Sequence, residues 1–388
     1  MSTKRSVYKK NSPSDKLAVY LSARDIFDDL ENVDPIEGVV TTDMGSLRES
    51  KLFARIRCTF RYGEQSMDDV LSGVAFFKEF LIETVQLYPS EDKKPPELSD
   101  VQKRLMERFG ENAIPFRFTL PHDIPASITI QSEPSSVPVE HPCGIEYMLQ
   151  VFIGRSATGN VSKKNSISMA IRRLTLAIPD PNSSPYTKEI VKNFHFHSGM
   201  LKATVTLTKE VFYHGEPIQI ILNIDNLSSN SVRRVKFQFL QCTELTMFKQ
   251  RTDRFVVLEM ESDEGFPVPP QSKEWQHKYS IRPSIQDARV KAGLALDGKL
   301  KHEDTTLASS TLIKDFRKKE AMAMVVQYAI RVKLCTGFGG RDVEADIPVI
   351  LTHKRSTPEL VKAEAITDLI ISRFKRNKAR NRRESDDV

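Results

Sequence analysis

The sequence predicts a mainly β protein built as two antiparallel β-sandwich domains, and three observations lead there. Apolar and polar residues alternate with a period of two through several segments, with Pro, Gly and Asn between them, the pattern of half-buried strands joined by turns. The chain has 388 residues, too many for one core, because single hydrophobic cores stop growing near roughly 250–300 residues. Finally, one stretch is echoed by another. KLAVYLSARDIF at 16–27, followed by Asp34-Pro35-Ile36, recurs with one gap as KATVTLTKEVF at 202–212, followed by Glu216-Pro217-Ile218. Duplication accounts for the shared lysine, alternation, base–acid pair, Phe and acid-Pro-Ile better than strand composition alone. The turn-rich PDPNSSPYTKE, 179–189, separates the copies. Domains are therefore expected at 1–182 and 183–356, with 357–388 as a tail.

The elements follow in order. KLAVYL (16–21) is the first strand-like run. LSDVQKRLMERFG (98–110) reads as a helix: Ser99 and Gln102 make a capping box, Val101, Leu105 and Phe109 form one apolar stripe, and Gly110 supplies the stop. Such a helix must lay its stripe on a sheet, leaving Lys103, Arg104 and Arg108 on its exposed flank. ASITIQS (126–132), KATVTL (202–207) and PIQIILNID (217–225) are further strands. In AMVVQYAIRVKLC (323–335), Val326, Tyr328, Ile330, Val332 and Leu334 share one face, and Gln327, Arg331 and Lys333 the other.

Composition excludes several classes. With 39% hydrophobic and 28% charged residues, the chain is that of a folded soluble protein. No apolar run reaches the roughly 18 residues that span a bilayer, and the basic N-terminus lacks the apolar stretch of a secretory signal, so a cytoplasmic location is expected. Cys58, Cys143, Cys242 and Cys335 are widely spaced, without a C-x-x-C pair, and read as reduced, mostly buried thiols rather than a metal site. The net charge of +6 is concentrated in the last residues, where Arg373, Lys375, Arg376, Lys378, Arg380, Arg382 and Arg383 crowd together. No G-x-S-x-G, H-E-x-x-H or Walker A loop occurs, so no enzyme is expected. GFGG at 337–340 ends a strand with no helix after it. His195 and His197 share a strand face without a third ligand nearby and read as structural; no metal and no cofactor is indicated. The basic tail has no stacking aromatics, which argues against nucleic acid.

One residue is out of place. In SISMAIRRLTLAI (166–178), Arg172 shares parity with Ala170, Leu174, Leu176 and Ile178. If that face is buried, a guanidinium lies inside and requires carboxylates; otherwise the opposite face packs inward, or the side chain snorkels out. Asp297 and Asp304, in GLALDGKLKHEDTTLASST (293–311), are candidate partners.

Over nearly its whole length the chain resembles an arrestin of the visual and β-arrestin branch. The residues that carry this are VYKKNSPSDKLAVYLSARDIFDDLENVDPIEGVV near the start, FRYG at 60–63, KEVFYHGEPI at 209–218 and LALDGKLKHEDTTLASST at 294–311. The resemblance implies two arrestin-type sandwiches with one short amphipathic helix in the first and a C-terminal tail folding back on it. It implies a non-enzymatic binder of active, phosphorylated G-protein-coupled receptors, recruited from the cytoplasm to the membrane, that blocks G-protein coupling. Asp25, Arg172, Asp297, Asp304 and Arg376 would form a polar core. Lys9, Lys10, Arg24, Arg108, Lys299 and Lys301 would sense receptor phosphates. Glu107 stands where a second base is usual.

The loop with Met67, Asp68, Asp69, Val70 and Leu71 would meet the receptor core, and Met247 and Phe248 would face receptor or membrane. Arg233, Arg234, Lys236 and Arg254 would mark an inositol phosphate or phosphoinositide site, although Leu240 replaces one of its bases and solvated strand charges are the plainer reading. In the tail, AITDLIISRFKR (365–376) would pair as a strand with the first domain, Phe374 acting as anchor. KRNKARNRRE replaces the usual acidic adaptor-binding segment, and Ala363 weakens the echo of a clathrin box at 360–364, so clathrin and adaptor binding are doubtful. The short tail is similar to that of a visual arrestin, as in an invertebrate, which makes rhodopsin the expected receptor; a β-arrestin-like trafficking adaptor is the alternative.

Overall fold

A computed structural model of the chain describes residues 5–47, 49–63, 76–90, 97–132, 143–194, 199–247, 249–288, 291–298, 305–336, 342–355 and 369–373. The first half contributes β1 (Arg5–Asn11), β2 (Leu17–Leu21), β3 (Asp25–Asp28), β4 (Ile36–Thr42), β5 (Lys51–Tyr62), β6 (Phe76–Tyr88), helix α1 (Asp100–Phe109), β7 (Ala113–Phe118), β8 (Ile128–Ile130), β9 (Gly144–Gly154) and β10 (Ser166–Thr175). The second contributes β11 (Tyr186–Asn193), β12 (Met200–Leu207), β13 (Val211–Tyr213), β14 (Ile218–Asn226), β15 (Arg234–Thr246), β16 (Gln250–Ser262), β17 (Ser272–Ile281), β18 (Ala295–Asp297), β19 (Met324–Cys335) and β20 (Val343–Thr352), and β21 (Leu369–Arg373) lies in the tail.

Four sheets form two sandwiches. One sheet of the first sandwich runs β21-β1-β2-β4-β7; the other contains β18-β8-β9-β10-β3, with β5 and β6 continuing from β9. The second sandwich sets β11-β12-β14-β17 against β13-β20-β19-β15-β16. The internal echo is a topological one. β2 pairs antiparallel with β4 as β12 does with β14, and the short strands β3 and β13 run parallel to β10 and β20. Even the acid before each Pro-Ile does the same work, Asp34 accepting from the Phe27 N–H and Glu216 from the Tyr213 N–H.

Helix α1 forms as its sequence dictates. Ser99 Oγ accepts from the Gln102 N–H, Gln102 Oε1 accepts from the Ser99 N–H, and Gly110 ends the helix at φ 59°. Val101 and Leu105 are buried with Val7, Tyr20, Val39 and Ala113 in a small apolar cluster between helix and sheet. This is why β2 and β4 are buried on both faces, the other face lining the sandwich. Gln102 adds a polar anchor, its amide donating to the Gly38 and Phe116 carbonyls.

Two features depart from the expected division. Apart from the small cluster under α1, the buried apolar residues between the sheets of both sandwiches make one continuous cluster instead of two separate cores. And β18, although it follows seven strands of the second sandwich, pairs antiparallel with β8 of the first. The boundary at 182/183 separates the strands on either side of it, but the segment around 295 crosses back.

The thiols also differ from expectation. Cys58 is fully buried, and burial pushes its pKa up to about 12; Cys143, Cys242 and Cys335 are only half-buried.

Candidate site at the seam between the sandwiches

The segment after Gly293 is gripped from both sides. On one side Ala295 and Asp297 stand in register with Ile130 and Ile128 of β8. On the other, buried Gln241 both donates to the Ala295 carbonyl and accepts from its N–H, at 2.8 and 2.7 Å. The same amide donates to Tyr328 Oη, which donates to the Ala308 carbonyl. The Ala308 N–H returns to Ala295, and the Asp297 N–H to Thr306. Residues 295–297 and 306–308 thus close a neck. Gly298 lies against the first sandwich so closely that a Cβ there would come within 2.7 Å of Ser127 Cβ and 3.3 Å of Arg172 Cγ.

Arg172 is held by Asp25. The two residues are in register between the parallel strands β10 and β3, and Nε and Nη2 donate to the two carboxylate oxygens at 2.7 Å each, a bidentate pair. Yet the fully buried arginine is its neighbour. β10 turns Ile167, Met169, Ile171 and Arg173 into the core, so the parity that singled out Arg172 marks the other face. Arg173 is paired with buried Asp28 at 2.5 Å, beside Tyr147 Oη. Burial alone would lower its pKa, but Tyr147 and Asp28 outweigh this and raise it.

Asp297 is buried, as expected, but its partners are different. Its carboxylate accepts from Ser309 N–H and Oγ and from Thr306 Oγ1, meets His353 Nε2 at 2.6 Å and lies 3.6 Å from His214 Nε2. The reason is strand alternation: with Gly298 turned to Arg172, the preceding side chain points away, into the second sandwich. Asp297 therefore ties the neck to two histidines rather than neutralising Arg172. Burial alone would raise its pKa, but His353, His214 and the Ser309 N–H together hold it below the ordinary value.

His214 is pushed down to about 4, chiefly by burial, against the attraction of Asp297. The unfolded chain, titrating at 6.5, therefore binds more protons than the folded one between those values. Stability should fall as the pH drops from 6.5 towards 4, by up to roughly 3 kcal/mol, and Asp297 extends the loss to lower pH. Urea midpoints between pH 7 and pH 4.5 check this: His214→Gln should flatten the decline, and identical slopes for variant and wild type would exclude the assignment.

The first-domain cations divide into two groups. Lys9 shares parity with Val7 and lies 5.4 Å over the Tyr20 ring on the helix side; Tyr20 packs on Phe109 at 4.6 Å with the rings tilted by 34°, next to exposed Arg108. Lys10 points the other way and donates to the Ser168 carbonyl of β10. Arg24, buried, sits over Tyr8, and its carbonyl accepts from the Arg172 N–H. β21 pairs parallel with β1, from Arg5 opposite Leu369 to Lys9 opposite Arg373, so a tail strand lies on the edge that carries both lysines.

The second-sandwich bases do not form one site. Lys236 is paired with Glu259 and Glu261, and Arg234 with Glu261, while Arg331 and Lys333 are held by Asp346 and Asp342. Arg254 stands opposite Cys242, about 20 Å along the strand from Lys236; Arg233 is exposed and Leu240 buried. Neighbouring acids thus pair two of the four bases expected to hold a polyanion, Lys236 and Arg234. Met247 is half-buried against the core. Met67, Asp68, Asp69, Val70, Leu71, Phe248, Lys299, Lys301, Asp304, Phe374 and Arg376 lie outside the described residues.

Comparison with known proteins adds the decisive observation. Residues 17–177 match the family "Arrestin (or S-antigen), N-terminal domain", and residues 197–356 match "Arrestin (or S-antigen), C-terminal domain". The chain belongs to the arrestin family. It is 36% identical over 351 residues to Arrestin red cell isoform 2 of Oncorhynchus mykiss, covering 90% of this chain and 84% of that protein. It is likewise 36% identical over 349 residues to Beta-arrestin-2 of Homo sapiens, covering 90% and 83%. Arrestins are non-enzymatic adaptors, and no helix among the described residues is long and apolar enough to cross a membrane.

In this arrestin, sequence reasoning missed Gln241, Tyr328, His214 and His353, which fix the neck, and Arg355, which joins the sandwiches through Asp34 at 2.8 Å. They are scattered along the chain, and only contact in the fold unites them.

Proposed function

We propose that this arrestin binds active, phosphorylated G-protein-coupled receptors from the cytoplasm and blocks G-protein coupling. The observation that carries the reading is β21 lying parallel on β1, the strand that carries Lys9 and Lys10. A parallel strand of five residues on a cation-bearing edge is a removable cover. A phosphate brings about −1.5 to −2 charge and three acceptor oxygens, so a phosphorylated segment competes both for the edge and for the cations. On this reading Lys299 and Lys301 extend the phosphate-binding set, Asp304 and Arg376 complete the polar core, Phe374 anchors the tail, and Met67–Leu71 enter the receptor. As the first receptor we propose rhodopsin, because KRNKARNRRE stands where an acidic adaptor-binding segment is expected; acidic lipids would make a peripheral contact.

Binding to light-activated rhodopsin and to a non-visual receptor, each with and without phosphorylation, tests the reading. Capture that requires both activation and phosphorylation is expected. Lys10→Ala should weaken it several-fold and flatten its salt dependence, because screening acts on such charges. Affinity unchanged by Lys10→Ala at low and high salt would remove Lys10 from the sensor, and indifference to phosphorylation would overturn the reading itself.

A further inference from the structure

His214, Asp297 and His353 offer two imidazole nitrogens and one carboxylate oxygen, all within 4.8 Å of one another. They come from three elements: the turn after β13, the end of β18 and the residue following β20. The receptor reading expects Asp297 in the polar core, but the carboxylate turns instead to two histidines that the reading does not use. We propose that these three side chains form a divalent transition-metal site, Zn2+ in the first place, that clasps the neck of the 293–311 segment to the second sandwich.

The donor chemistry selects the metal. Imidazole with one carboxylate suits Zn2+ and its first-row neighbours, whereas Ca2+ and Mg2+ take oxygen ligands. At Zn–N and Zn–O distances near 2.0–2.2 Å, tetrahedral ligands stand about 3.3 Å apart. His214 Nε2 and Asp297 Oδ2, at 3.6 Å, already have that spacing. His353 Nε2, at 2.6 Å, needs to withdraw by less than 1 Å, exchanging its hydrogen bond for a metal bond. The two rings stand 4.6 Å apart, tilted at 51°. Ser309 Oγ, 3.2 Å from both His214 Nε2 and Asp297 Oδ2, borders the fourth position, where a water or the hydroxyl completes the set.

The surroundings orient the carboxylate as metal sites require. The Ser309 N–H holds Asp297 Oδ1 at 2.9 Å, and Thr306 Oγ1 donates to Oδ2 at 3.0 Å. The histidines and the Ser309 N–H keep Asp297 ionised against the effect of burial, and burial keeps His214 neutral, the states that bind a metal. His353 is 20% exposed, so an ion has access. Because β18 pairs with the first sandwich while both histidines belong to the second, the bound ion would hold the two together.

The test uses the full chain, stripped with EDTA and titrated calorimetrically with ZnCl2 in the absence of receptor. One Zn2+ per chain and a raised melting temperature are expected, with Mg2+ and Ca2+ inert. His214→Gln and His353→Gln should each weaken Zn2+ binding by at least about 100-fold, while the double change His195→Gln/His197→Gln leaves it intact. X-ray absorption at the zinc edge on that double variant keeps the question open to refutation should the single variants fail to fold. Two imidazoles with an oxygen shell support the site. No saturable binding, binding insensitive to His214→Gln and His353→Gln, or a shell with one imidazole or none overturns it.

Discussion

Asp28→Ala should destabilise the protein by roughly 3–5 kcal/mol, a large share of the total stability of a typical domain. Asp28 and Arg173 form a pair inside the first sandwich: both are buried, 2.5 Å apart, and the other Asp28 oxygen accepts from the Leu30 N–H and lies 3.7 Å from His122 Nδ1. Removing the carboxylate leaves the guanidinium with Tyr147 Oη at 3.5 Å, a neutral and distant partner. Arg173 has no route to water, because its side chain is 1% exposed and its strand is flanked by β9 and β3. The pair itself contributes far less than its disruption costs, because ionising two groups in the interior offsets most of their attraction. Replacing both, as Asp28→Leu with Arg173→Met, should therefore recover most of the loss. Urea midpoints for the single and double variants measure this directly. A single variant within about 1 kcal/mol of wild type would show that the buried guanidinium finds other compensation.

The history of these two arginines shows what the sequence reveals and what it hides. Where one face of a strand is apolar and the other polar, as at 202–207, 217–225 and 323–335, the alternation places the strand and its buried side correctly. The helix was equally legible, because a capping box and a terminal glycine are local signals. β10 is different. Arg172 and Arg173 are adjacent, and apolar residues occupy both faces, since one face meets the core of its own sandwich and the other meets the seam. Parity cannot choose between two apolar faces, and so it leaves open which arginine is buried.

Asp297 was likewise legible as a buried acid but not in its partners. His214 and His353 approach it from distant parts of the chain, through a crossing strand of three residues too short to carry a periodic signal. Lys9 and Lys10 look like one basic pair in sequence, yet consecutive residues of a strand face opposite ways, so one joined the helix side and the other β10. The echo between the halves was informative because it preserved a whole arrangement, a strand, a short parallel partner and an acid-capped turn.

Arg172→Glu should raise binding to active, unphosphorylated receptor by about tenfold or more, if the proposed receptor function holds. The substitution places two carboxylates opposite each other where β10 and β3 are in register, next to Gly298. Asp25 is about one-third exposed, so water softens the repulsion and the fold should survive. A shift of roughly 1.4 kcal/mol in the balance between covered and uncovered states is enough for a tenfold change, well within what a charge reversal at a partly buried pair supplies. Wild-type protein gains that energy only when receptor phosphates compete for the cations, so the variant should need them less. Restoring the pair in reverse, with Asp25→Arg added to Arg172→Glu, should return the requirement for phosphorylation, since the attraction between β3 and β10 is then rebuilt with opposite signs. Comparing the captured fraction on phosphorylated and unphosphorylated active receptor for wild type, single and double variants separates the possibilities. If the single variant demands phosphorylation as strictly as wild type, the Arg172–Asp25 pair does not restrain activation. If the double variant remains phosphorylation-independent, the effect of the single change comes from the loss of a cation at the seam and not from the broken pair.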